Sequence, residues 1–166
     1  MLLSVISVCA KAQDFLPTEL FQIFKFWQMD VKDYDRNTWD YIQTVDKQWQ
    51  LRMIPQKTDH SFQLFLGYYK DKVWYKDEEY GLMLDYDAKE KVPKSVTYQF
   101  TDYDSWKRYN RQMALMDAKS LQTINQNGGT THTFQINDLV VHLSEFPPGI
   151  NGVDRVYQVM IVRMPQ

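Results

Sequence analysis

Ser95-Val96-Thr97-Tyr98-Gln99-Phe100-Thr101 alternates apolar and polar side chains without interruption. A backbone of period two places Val96, Tyr98 and Phe100 on one side and Thr97, Gln99 and Thr101 on the other, which predicts a strand with one buried and one wet face. The period then changes at once. Trp106, Tyr109, Met113 and Met116 recur at helical spacing, which predicts an amphipathic helix beginning near Thr101, with the threonine hydroxyl as its cap. A strand that runs into a helix without a linker leaves no domain boundary there. The chain is therefore expected to form a single α+β domain over 13–166.

The two flanks of this junction have a similar order. Upstream, Pro17 opens a short N-terminal helix over 17–24, in a first turn where its missing N–H costs nothing. A longer helix follows Asp30 and carries Tyr34, Tyr41, Ile42 and Val45 on one face, with Asp30 and Asp33 at its positive end. Strands are expected near 49–54, 60–69, 73–76, 80–86 and 95–100. Downstream of the second long helix, strands are expected at 121–126, 131–136, 139–146 and 155–163. Turns at Asn127-Gly128-Gly129 and Asn137-Asp138 use residues that tolerate a left-handed backbone.

Two similar halves, about 30–100 and 101–166, thus each read as a helix plus four antiparallel strands, in one continuous sheet or two abutting ones. Sliding one half over the other puts Gln50, Phe62 and Gln63 on Gln122, Phe134 and Gln135, and a shorter displacement puts Leu84, Tyr98 and Gln99 on Leu143, Tyr157 and Gln158. The competing explanation is that amphipathic patterns repeat by chance. The first half is longer between these blocks, over 68–80.

Composition narrows the classes. A 44% hydrophobic and 15% aromatic chain of 166 residues has enough apolar surface for a core without metal or disulfide staples. A formal net charge of -2, with no long Lys or Arg run, argues against nucleic acid as a partner. Leu2 to Val8 form a short apolar run before Ala10-Lys11-Ala12, which fits a signal peptide over 1–12 cleaved before Gln13 and predicts an exported protein of the periplasm, outer membrane or exterior. Acylation of Cys9 and a buried N-terminal strand are the alternatives. The run is too short to span a bilayer.

Motifs for chemistry are sparse. His60, His132 and His142 lack metal-ligand spacing. A two-residue turn at Asn137-Asp138 would pair His132 with Leu143 and Thr133 with His142, sending the two histidines to opposite faces. Asp33-Tyr34-Asp35, Asp85-Tyr86-Asp87 and Asp102-Tyr103-Asp104 lack the glycine and terminal glutamate of a calcium loop, so capping and solvated strand ends account for them better. Glu78-Glu79 and Glu145 are an unconvincing acid pair. No catalytic residue, metal or cofactor is assigned. The partner-binding candidates are Tyr68, Tyr69, Trp74, Tyr75 and Tyr80, where large aromatics alternate with charges of both signs as interface anchors do. The structural alternative is a longer hairpin whose aromatics fill the core. The loop from Pro147 to Gly152 is a second candidate.

Two tandem units of helix plus four-stranded sheet resemble β-lactamase-inhibitory-protein-like modules, and the chain is also similar to small exported envelope proteins of Gram-negative bacteria. The resemblance is architectural and carries no binding residue over. It implies a sheet face presented to another protein, and the expected function is a non-enzymatic protein-binding module acting as inhibitor, immunity factor or accessory subunit. A carbohydrate- or lipid-binding protein using strand aromatics is the alternative. A hydrolase using His142 is the third possibility.

Overall fold

A computed structural model describes residues 15–26, 40, 42–44, 49–51, 56–57, 61–70, 73–74, 81–87, 92–148 and 155–164, and over 49–74 the description is of backbone pairing. The segment 1–12 with Cys9, His60, Tyr75, Glu78, Glu79, Tyr80 and the tripeptide 33–35 lie outside these residues.

Helix α1 (Pro17–Phe26) begins where the proline predicts. The Leu16 N–H donates to Glu19 Oε2 at 2.6 Å, so a side chain in the first turn reaches back to a backbone donor ahead of the helix. Helix α2 (Tyr103–Leu115) starts slightly later than expected, because its cap is Asp102 rather than Thr101. The Ser105 N–H donates to Asp102 Oδ2 at 2.7 Å, and the carboxylate also complements the helix dipole. At the other end Asp117 takes a left-handed φ of 50°. This lets the Ala118 N–H reach the Met113 carbonyl and close the helix.

The strands are β1 (Trp49–Leu51), β2 (Gln56–Lys57), β3 (Ser61–Lys70), β4 (Val73–Trp74), β5 (Gly81–Asp87), β6 (Val92–Phe100), β7 (Lys119–Gln126), β8 (Gly129–Ile136), β9 (Leu139–Phe146) and β10 (Val156–Arg163). They form an open antiparallel sheet in an α+β fold. Hydrogen bonding runs β1-β3-β5-β6-β10-β9-β8-β7, with β2 and β4 also paired to β3. The Asn137-Asp138 turn sets the predicted register, His132 with Leu143 and Thr133 with His142.

Both helices lie on the face that carries Val96, Tyr98 and Phe100, each fully buried. Phe15 meets Tyr98 edge-on at 5.4 Å, Tyr109 stacks on Phe100 at 5.5 Å, and Trp106 stacks on Tyr157 at 5.0 Å. Leu82, Leu84, Val141, Leu143, Val159 and Ile161 complete this core together with Leu20, Ile23 and Ile42. The Tyr109 hydroxyl of α2 donates to the carbonyl of Phe15, just ahead of α1, at 2.6 Å in a buried site.

The expectation of a wet opposite face on β6 needs correction. Gln99 and Thr101 are partly exposed, but Thr97, in register between Met83 and Met160, and Ser95, between Asp85 and Val162, are each only 4% exposed.

Tyr109→Phe keeps the ring and removes the hydroxyl, so it is expected to cost about 1–2 kcal/mol. A shift of the urea midpoint with unchanged slope will measure the loss.

Candidate functional site

The sheet face away from the helices, here the far face, is built by strand alternation. Each residue between two core residues of β5, β6, β9 and β10 points there. One row across the sheet is Met83, Thr97, Met160, His142, Thr133 and Gln122, each in register with the next. The neighbouring row is Gly81, Gln99, Gln158, Ser144, Thr131 and Ile124. The row on the other side is Asp85, Ser95, Val162, Val140, Gln135 and Lys119. In these three rows charge stands only at the outer positions Asp85 and Lys119. Between them lie amides, hydroxyls, one imidazole, thioethers and valines.

The polar groups of this face are unequally satisfied. On β8 and β9 they pair across strands, Thr131 Oγ1 with Ser144 Oγ at 2.9 Å and Thr133 Oγ1 with His142 Nδ1 at 3.0 Å. At the centre, Thr97 Oγ1 is buried without a hydrogen-bond partner. Its lateral neighbours are Met83 and Met160, whose thioethers are weak acceptors and no donors. Asp85 Oδ1 is also buried and unpaired, although Asp85 as a whole is partly exposed near the end of β5.

His142 is half-buried, and burial holds its imidazole below the ordinary value of 6.5. His132 lies on the helix side of β8, where its Nδ1 is 3.0 Å from Thr123 Oγ1. The two histidines thus occupy opposite faces. Among the described residues no group of three or more His, Cys, Asp or Glu side chains is placed to hold a metal ion, and no helix is long and apolar enough to cross a membrane. Glu145 pairs with Arg155.

The aromatic candidates are divided by the strand register. Tyr69 is paired with Trp74 at the β3–β4 turn, while Tyr68 is paired with Trp49 of β1. Consecutive strand positions alternate between faces, so these are two separate pairs of positions. Tyr75 and Tyr80 lie outside the described residues, and of the second candidate loop only Pro147 and Pro148 are described. The far-face rows do not stand out in the sequence because their members are individually ordinary. Their one sequence signal is the run of Ser, Thr and Gln alternating with core residues on β6, β8 and β10.

No protein-family model, curated protein or solved structure matches this chain.

Two outcomes are expected from this geometry. Thr97→Val removes a buried hydroxyl that has no partner and keeps the side-chain shape, so it should raise the stability of the free protein by about 1 kcal/mol, read from thermal and urea unfolding. For His142, the lowered folded pKa means that the unfolded chain takes up the proton first as pH falls. Its contribution to stability is complete above about pH 6.5 and declines below it. A series of melting temperatures against pH should show this decline, and His142→Gln should flatten it.

Proposed function

We propose that this chain is a non-enzymatic protein-binding module that receives its partner on the far face. The observation that carries the proposal is Thr97 Oγ1, buried and unpaired at the centre of a sheet face without charge between Asp85 and Lys119. An unsatisfied buried hydroxyl costs stability. A bound polar group would satisfy it once the flanking, flexible Met83 and Met160 side chains move aside. Rows of amides and hydroxyls beside Met83 and Met160 supply both hydrogen bonds and adaptable apolar contact.

Inhibitor, immunity factor and accessory subunit all use a surface of this kind, and the Ala10-Lys11-Ala12 segment favours the bacterial envelope or exterior as its place. The idea of duplicated halves rests on the sequence displacements alone: the one that puts Leu84 on Leu143 puts Val96 on Arg155, whereas Leu84 pairs with Val96 and Leu143 with Val159.

A second reading, carbohydrate or lipid binding, is favoured by the aromatic residue types at the paired positions Tyr69 and Trp74, a composition that suits a flat apolar ligand surface. In the hydrolase reading, His142 Nδ1 is already engaged by Thr133, which is an orienting contact and not a nucleophile–base–acid chain.

Capture from native envelope extract, with three baits, tests the proposal. Wild type and Leu115→Lys are expected to retain the same protein, while Gln158→Arg, which puts a charge into the neutral rows, loses it. Recovery of the bait alone, or a partner indifferent to Gln158→Arg, would remove the far-face assignment. A glycan-array signal abolished by Trp74→Ala would move it to the carbohydrate reading.

A further inference from the structure

The two ends of the sheet differ among the described residues. At one end β1 and β2 are three and two residues long. At the other end β7 has eight residues, all exposed. A terminal strand turns a row of backbone N–H and C=O groups outward, and another extended backbone is the group that satisfies them in sequence. The usual protections of such an edge are scarce here. Lys119 is the one charged residue of β7, and the strand contains no proline. A register shift lies between Ser120 and Gln122. This bulge disturbs the start of the edge and leaves the segment from Gln122 to Gln126 regular.

That regular segment is also held in shape before any partner arrives. Asn127 and Gly128, at φ 52° and 77°, close the hairpin in the left-handed conformation that matches strand twist. Across it, the Thr130 hydroxyl donates to Asn125 Oδ1 at 2.9 Å, and Thr123 Oγ1 bonds His132 Nδ1 at 3.0 Å. Docking onto such an edge therefore loses little conformational freedom on its side.

We propose that β7 is a self-association edge to which a second copy of this chain adds antiparallel, centred on Ile124. The occupant follows from the self-complementarity of the segment. About this centre Ile124 of one copy faces Ile124 of the other, Thr123 faces Asn125, and Gln122 faces Gln126. The exposed apolar side chain, 46% accessible, is matched with itself and polar residues meet polar residues. Lys119 falls outside the paired segment, so no like charges are opposed. The result is an isologous dimer with the two sheets joined edge to edge. It does not depend on the protein-binding assignment of the far face.

Sedimentation velocity of the full chain over a concentration series tests this. The wild type is expected to shift from monomer to dimer as concentration rises. Gln122→Lys/Gln126→Lys opposes like charges in both outer pairs and should weaken the dimer by about tenfold or more. Gln122→Lys/Gln126→Glu opposes Lys to Glu in both pairs and should associate at least as well as wild type. Leu115→Lys, on exposed α2 surface, should leave association unchanged. All of these positions are exposed, and circular dichroism will verify that each variant folds. A wild type that stays monomeric overturns the proposal. So does a dimer indifferent to the charges at 122 and 126, or one weakened equally by both double substitutions.

Discussion

The antiparallel pairing of β6 with β10 is the constraint on which the other contacts depend. It brings Tyr98 and Phe100 beside Tyr157 and Val159 in one buried layer, and on this layer both helices rest. Phe15 reaches it from the chain's beginning, Trp106 and Tyr109 from its middle. Each large side chain buried in this way contributes about 1.5–3 kcal/mol, and the ring pairs add about 0.5–1.5 kcal/mol each. Removing the pairing would separate the surfaces that make the helices amphipathic partners of the sheet.

The same pairing creates the far face as a geometric by-product. Once alternate residues of β6 and β10 are committed to the aromatic layer, Thr97, Gln99, Gln158 and Met160 must stand on the opposite side. There they form rows with residues from β5, β9 and β8. The hydroxyls of the β8–β9 pair find partners in the neighbouring strand, whereas Thr97 sits between two thioethers and does not. The face is thus hydrogen-bonded at one side and unsatisfied at its centre, at a cost in stability to the free protein.

Edges follow a different logic from faces. A face is recognised through side chains, an edge through backbone, and β7 offers the longer free backbone row. Its exposure on both sides means that it contributes little to the core. Its shape is nevertheless kept by the turn at Asn127-Gly128 and by side-chain bonds to β8. A strand with a fixed shape and a small share of the core is suited to association, because binding on it need not reorganise the domain.

Local patterns in the sequence were enough to place β6, α2 and the β7–β8–β9 hairpins, since period, turn residues and helix starts act over a few positions. The Thr133–His142 register was readable because a two-residue turn leaves only one way to pair its flanks. The start of α2 was misplaced because Thr101 and Asp102 both suit a cap, and only the backbone geometry chose the carboxylate. The burial of Ser95 and Thr97 was not readable from their own strand. It depends on neighbours such as Met83, Met160 and Val162, which come from distant segments. The far-face rows share this origin. Each row takes single residues from as many as six strands, so the composition of a face exists only after strand order and register are settled by tertiary pairing. Sequence by itself determined which residues of β6 turn inward and how β8 and β9 pair at their turn. The fold decided which of the others stand side by side, because adjacency across a sheet is set by long-range hydrogen bonding and not by distance along the chain.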